Sequence, residues 1–211
     1  MIMSTTKTFT PSGYSHVQPG HVASVVTCLE MTENPDAAEP SFAGDIRLER
    51  MEKPDLEAYR TLYRKIGAEW LWFSRLIISD EKLASIIGHE DVEVYVLRDG
   101  QQDIGLMELD FRQPNECELV FLGLTAEATG KGLGRALMNA TLKRAWQRDI
   151  KRLHLHTCTL DHPSALGFYL RSGFRPYAFQ VETQADPRLT GHLPLTAAPH
   201  VPLIQLQQQK A

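Results

Sequence analysis

Cysteine is scarce in this chain. Cys28, Cys117 and Cys158 are the three among 211 residues, an odd number, and no two of them form a CxxC pair. A disulfide framework is therefore not expected, and a reducing compartment fits best. A surplus of positive charge is also missing: 22 Lys and Arg stand against 26 Asp and Glu, a formal net charge of −4. Without a basic surface, nucleic acid is not an expected partner, and the mild acidity leans toward a cationic small substrate. Long apolar runs are lacking too. The polar start, Met1 to Gly20, has no hydrophobic centre of a signal peptide. Residues 189–209 carry no Asp, Glu, Lys or Arg, but prolines, glutamines and two histidines break them up. No membrane span is expected, and the reading is a cytoplasmic protein. No internal repeat of fixed period occurs.

What is present is ordinary globular composition, 43% hydrophobic and 23% charged, enough for one well-buried domain plus some extension. Residues 1–20 are rich in Ser, Thr, Pro and Gly and are expected to be poorly ordered at the start. HVASVVTCLEM (21–31) reads as a strand, 32–44 as a linker, and DIRLERM (45–51) as a half-buried strand. Pro54 opens a helical pattern through Leu56, Tyr59, Leu62, Tyr63 and Ile66, and Asp80 is read as the cap of a second helix. Residues 92–111 read as a hairpin turning at Asp99-Gly100, and 118–124 as a further strand. A helix over 133–148, a strand at 152–158, a short helix over 162–174 and a strand at 174–183 follow. In the tail 184–211, HVPLIQL is a candidate edge strand. Strand and helix alternate only after residue 118, which predicts a mixed α/β (α+β) sheet, antiparallel first and parallel around the 133–148 helix.

The sharpest local feature is Thr129-Gly130-Lys131-Gly132-Leu133-Gly134-Arg135, between an apolar strand and an amphipathic helix. Glycines there let successive N–H groups curl inward at a helix start, which suits phosphate. The turn is neither GxxxxGK[ST] nor GxGxxG. A plain strand-to-helix turn without a ligand is the competing reading of the glycines alone.

The whole stretch ELVFLGLTAEATGKGLGRALM resembles the acetyl-CoA motif of the GNAT superfamily of N-acetyltransferases: strand, Q/R-x-x-G-x-G/A, helix. The pattern falls on Thr129, Gly132 and Gly134, with Thr129 where the family usually has Gln or Arg. A second signature, Ala-x-x-x-Tyr-x-x-x-Gly-Phe, falls on Ala165, Tyr169, Gly173 and Phe174. His162 stands where an Asn that contacts CoA often precedes that Ala. The resemblance spans about 45–183, which is read as the acetyltransferase domain, with 1–44 as an N-terminal extension and 184–211 as a C-terminal tail. It implies a sheet splayed between 118–124 and 152–158 and flanked by helices. Acetyl-CoA would enter that gap, its pantetheine arm on Leu122, Gly123 and Leu124. Its phosphates would lie on the turn of Thr129, Gly130, Lys131, Gly132, Leu133, Gly134 and Arg135, with His162 nearby. The amide of Leu122 or Leu124 would steady the developing oxyanion. Gly123 suggests a bulge at the splay point.

The resemblance also implies transfer of acetyl to a primary amine of a small-molecule or peptide acceptor, in a ternary complex without a covalent intermediate. The amine must first lose a proton, since an alkyl ammonium has a pKa of roughly 10. Glu118 is the candidate base; it resembles in position the glutamate of the histone-acetylating branch, whose strand begins Glu-Ile-Val-Phe. Glu108, Asp110 and His156 are alternatives. Tyr169 matches the family tyrosine near the CoA sulfur and is the candidate acid for the departing thiolate. His154, His156, Cys158 and His162 lie close in sequence, but spacing fixes no third ligand, so no metal is expected. Trp70, Trp72 and Phe73 are candidates for the acceptor pocket or for core. Superfamily members are often dimers, so a homodimer is one alternative for an oligomeric state that the sequence leaves open. A non-catalytic acyl-CoA-sensing module is the alternative, favoured by Thr129 and His162 and opposed by Glu118 and Tyr169.

Overall fold

The computed structural model describes residues 9–53 and 55–204. The loose start over residues 1–8, the helix-opening role of Pro54 and the end of the tail strand lie outside the described residues.

Seven strands form one mixed sheet: β1 His21–Met31, β2 Ile46–Arg50, β3 Val92–Asp99, β4 Gln102–Asp110, β5 Glu116–Leu124, β6 Arg152–Cys158 and β7 Arg175–Ala185. Their spatial order is β2-β3-β4-β5-β6-β1-β7. All neighbours are antiparallel except β5 and β6. That parallel pair needs a crossover, and helix α3, Leu133–Ala145, makes it. Helices α1 Leu56–Gly67, α2 Asp80–Ile87 and α4 Ala165–Arg171 complete the α/β fold.

Each helix lies where its apolar stripe finds the sheet. Helix α1 buries Tyr59, Leu62, Tyr63 and Ile66 together with Val94, Val96 and Leu106 of β3 and β4. Asp55 caps it, its carboxylate accepting from the Ala58 amide at 3.0 Å. Helix α3 covers a second core with Leu137, Met138 and Leu142 beside Leu153 and Leu155 of β6. Its two ends are set by Gly132 in the left-handed region, φ 79, and by Trp146; it stops short of residue 148 because 146–148 fold into a turn.

Several boundaries differ from those read in the sequence. The cap of α2 is Ser79, whose hydroxyl accepts from the Lys82 amide, so Asp80 is the first helical residue. Asp99 pairs with Gln102, so the hairpin turns at Gly100-Gln101, with Gly100 at φ 59. Helix α4 occupies only 165–171 of the 162–174 pattern, and residues 200–204 form no strand.

Residues 21–31 hold an interior place. Strand β1 pairs with β6 through Val26–Met31 and with β7 over nearly its full length. Residues on both of its faces are buried from Val26 to Leu29, which explains the unbroken apolar run. Strand β7 is left as the edge, and Pro176, which has no N–H to give, is tolerated there beside a bulge. Phe179 and Val181 of β7 are 70% and 55% exposed.

After β7 the chain folds back over residues 186–202. Leu193, Ala198 and Val201 pack with Leu71, Leu160 and Val22. The buried Arg188 guanidinium holds this segment together. It pairs with Asp186 at 2.7 Å and donates to the carbonyls of Ala197, Ala198, Val201 and Pro202.

Candidate active site

Strands β5 and β6 pair only from Glu116–Arg152 to Glu118–His154. Beyond that point they separate, and the side of β5 facing β6 has no strand partner over residues 119–124. The sheet is thus splayed between 118–124 and 152–158 as expected. A β-bulge helps open it. Glu108 faces Phe121 while Leu109 faces Leu119, so Val120 is the extra residue. The bulge is therefore three residues ahead of Gly123. Gly123 has a different reason: a Cβ there would stand 2.4 Å from Ile66 Cγ2 and 3.0 Å from the Trp72 ring. The strand is glycine at this point so that α1 and Trp72 can close onto it.

A cavity of about 170 Å³ lies at the splay. Leu119, Val120, Phe121 and Leu122 of β5 form one wall, and His156, Cys158 and Asp161 at the end of β6 form another. Trp70, Trp72 and Phe73, from the segment after α1, form the third, so these aromatics line the pocket. Tyr169 of α4, Ser24 of β1, and Glu182 and Gln184 of β7 also line it.

Glu118 is the last β5 residue paired with β6, and it adjoins the cavity through His156 rather than lining it. Its carboxylate is 34% exposed and lies 3.5 Å from His156 Nδ1, whose side chain is 57% exposed. The hydrogen bond to His156 holds Glu118 below the usual carboxylate range, and the same bond raises His156 above 6.5. His154 points the same way along β6, 3.5 Å from Glu116, and burial lowers it. Two histidines thus flank a carboxylate lane, and His156 is the one in the cavity.

The other carboxylates considered as bases are engaged elsewhere. Glu108 is wholly buried under α1, bonded to Arg75 at 2.6 Å and to the Tyr59 hydroxyl at 2.5 Å. Asp110 is clasped by the Arg112 guanidinium at 2.5 Å, which keeps it low against the opposing pull of burial. Neither lines the cavity.

Tyr169 is half-buried in the cavity lining, and among the described residues nothing bonds its hydroxyl. Burial, with the nearby charge of Asp161 adding to it, pushes its phenol well above 10. It therefore stays protonated at neutral pH.

The glycine turn lies at the far end of β5. Thr129 closes its start, the hydroxyl donating to the Thr125 carbonyl at 3.1 Å. Gly130 and Gly132 adopt φ 81 and 79 and have open space where a Cβ would stand. The N–H groups of Gly130, Lys131 and Gly132 meet no acceptor among the described residues, so they remain available to an anion. This cradle fits the pyrophosphate of CoA on backbone groups alone. The side chains do other things. Leu133 is buried in the core, and Arg135 stacks over Phe168 at 5.6 Å and reaches Ser172 at 3.3 Å. His162 is exposed at the cavity rim, against the Trp70 ring at 5.0 Å, with its Nδ1 tied to Ser164.

Sequence reading did not single out Asp161, Ser24, Glu182 or Gln184. Asp161 carries no signal beyond standing before the His162-Pro163 turn. The other three depend on the placement of β1 and β7.

A strand pair parted beside a glycine-rich helix start, with a carboxylate–imidazole pair and a tyrosine near the gap, is an arrangement suited to acyl transfer. The chain belongs to the GNAT acetyltransferase family, whose model matches residues 54–174. Solved structures agree on the fold. A GCN5-related N-acetyltransferase from Sphaerobacter thermophilus is 14% identical over 90% of this chain and 55% of its own, with a TM-score of 0.59. A functionally unknown conserved protein from Staphylococcus epidermidis is 17% identical over 79% and 64%, at 0.56. An aminoglycoside acetyltransferase from an uncultured soil metagenomic sample is 19% identical over 61% and 87%, at 0.51. The chain thus spans less than two thirds of the length of the first two. No curated protein matches it. No helix among the described residues is long and apolar enough to cross a membrane.

Proposed function

We propose that this protein is a cytoplasmic N-acetyltransferase that moves acetyl from acetyl-CoA to a primary amine by direct attack in a ternary complex. The observation that carries the reading is the meeting, at one cavity, of the unpaired edge of β5, His156 and the unpartnered Tyr169 hydroxyl, with Glu118 beside the cavity and 3.5 Å from His156. Acetyl-CoA, when bound, supplies the activated thioester. Backbone groups of Leu122, Gly123 and Leu124 orient it, and an amide there faces the carbonyl oxygen as charge gathers on it. Glu118 takes the amine proton directly or through water, and half-exposed His156 passes it to solvent. Tyr169 gives its proton to the departing sulfur. Among the described residues lining the cavity there is no Lys or Arg, while Asp161 and Glu182 carry carboxylates. That balance suits a cationic amine, on a small molecule or a peptide.

Two experiments test this. A turnover screen of acetyl-CoA against a chemically broad amine library should find acceptors; no turnover with any amine would favour the acyl-CoA-sensing alternative. Saturating acetyl-CoA should also raise thermal stability, by about 2.7 kcal/mol at 100 times its dissociation constant. Gly132→Asp should remove that shift, by placing a negative charge and a Cβ in the cradle. An unshifted transition in the unmutated protein would rule out the cradle as a CoA site.

A homodimer is part of the same reading. The exposed edge β7, with Phe179 and Val181 on its surface, is suited to pair with β7 of a second copy. Phe179→Lys with Val181→Lys should then convert a dimer to a monomer in sedimentation equilibrium, and a monomeric unmutated protein would refute it.

A further inference from the structure

The carboxylate of Asp161 has three partners from two different walls of the cavity. Oδ1 accepts from the Trp72 indole N–H at 3.2 Å. Oδ2 accepts from the Thr157 hydroxyl at 2.7 Å and from the Cys158 amide at 2.8 Å. Trp72 belongs to the segment that follows α1, whereas Thr157 and Cys158 are the last residues of β6. No other hydrogen bond among the described residues joins that aromatic wall to β6.

The rest of the Trp72 environment shows that its position is built. Its ring fits against the backbone of two glycines. A Cβ on Gly67 would come within 2.5 Å of it, and one on Gly123 within 3.0 Å. It also packs against Tyr63 and Phe121 at 5.5 and 5.2 Å between ring centres. Sterics thus fix the ring on its α1 and β5 sides, and the Asp161 hydrogen bond fixes it on the β6 side. The width of the acceptor cavity is the distance between these same elements.

We infer that Asp161 is a positioning residue for the proposed reaction: it ties Trp72 to the end of β6 and so sets the shape of the amine pocket. The inference rests on the acetyltransferase reading for its kinetic consequence, but its geometric core does not. Asp161→Asn keeps one acceptor oxygen where three donors need two. Asp161→Ala removes both. Trp72→Phe keeps an aromatic ring, though a smaller one, and loses the N–H.

The first readout needs no substrate. In a Trp70→Phe, Trp146→Phe background, Trp72 is the single tryptophan, because the chain has three. Acrylamide quenching of its fluorescence should rise several-fold in Asp161→Ala and by an intermediate amount in Asp161→Asn. The thermal shift produced by acetyl-CoA should stay the same, since the glycine cradle is elsewhere. Unchanged quenching would overturn the inference whatever the protein catalyses.

The second readout uses n-butylamine as a plain acceptor probe. Asp161→Asn and Trp72→Phe should each raise its KM by about tenfold, an ordinary effect of losing one charge-assisted hydrogen bond, while the KM for acetyl-CoA holds. The double variant should be little worse than either single one, because both remove the same link. Additive effects, or an equal loss of acetyl-CoA affinity, would show that Asp161 acts as a general structural support instead. If n-butylamine is not turned over by the unmutated protein while quenching behaves as stated, the catalytic reading fails and the tether stands.

Discussion

Glu118→Gln is expected to lower kcat near neutral pH by about 10²- to 10⁴-fold, and to recover as the pH approaches the amine pKa of roughly 10. The amide keeps the shape of the side chain and cannot take a proton. Once the amine is free in solution, no base is needed. Tyr169→Phe is expected to fall by a comparable factor without that recovery, because thiolate departure lacks its acid at every pH. The acidic limb separates the roles further. Glu118 is held low by its bond to His156, so it stays ionised throughout the neutral range. The group titrating there is His156, raised above 6.5 chiefly by Glu118. The unmutated enzyme should therefore show an acidic limb above 6.5, and Glu118→Gln should move it down, because the partner that favours the imidazolium has gone. A pH–rate profile of the three enzymes, with the best amine from the screen, checks all of this. A Glu118→Gln profile superimposable on the parent would hand the base role to His156 or to solvent.

The parts of this site that were legible in the sequence are the local ones. A run such as RLHLHTC announces its strand by alternation, and β6 occupies those residues and no others. The placement of the glycine turn at the start of α3 and of Tyr169 on α4 was legible because it depends on neighbours a few positions away. Contacts across the chain were not. Nothing in HVASVVTCLEM says that its partners are 153–158 and 175–185, so Ser24 and Glu182 could not be placed opposite each other in the cavity lining. Glu108 and Glu118 look alike in sequence, each a strand carboxylate between apolar residues with a second acid two positions away. They differ because Arg75 and Tyr59 come from other elements to neutralise and bury the first, while the end of β5–β6 pairing leaves the second half open. Gly123 illustrates the same limit. A strand glycine signals that something is close, and only the packing shows that it is Ile66 and Trp72 rather than a bulge.

Arg188→Met is expected to release residues 186–204 while leaving the glycine cradle working. The side chains of Arg188 and Asp186 are 2% and 3% exposed, and the guanidinium also serves four carbonyls. Removing one member of such a buried pair typically costs about 3–5 kcal/mol, because the remaining charge stays buried without its partner. A segment of this size, held by one small apolar cluster, escapes that cost by opening locally rather than by unfolding the sheet. The expected signs are rapid cleavage within 186–204 by a limiting protease, a modest fall in Tm, and an acetyl-CoA shift of unchanged size. Acid should act on the same link. Although burial works against it, Arg188 depresses Asp186 below its ordinary value of 3.8. Its contribution is therefore fully present above that value and is lost as the pH falls through the lower, folded-state one. Pairing Arg188→Met with Asp186→Leu should restore part of the protection, since no charge is then left buried. Because the released segment packs on Leu71 and Leu160 beside the cavity, the single variant should weaken the acceptor's KM more than that of acetyl-CoA. Protease resistance equal to the parent in Arg188→Met would mean that the apolar contacts of Leu193, Ala198 and Val201 hold the segment without the ion pair.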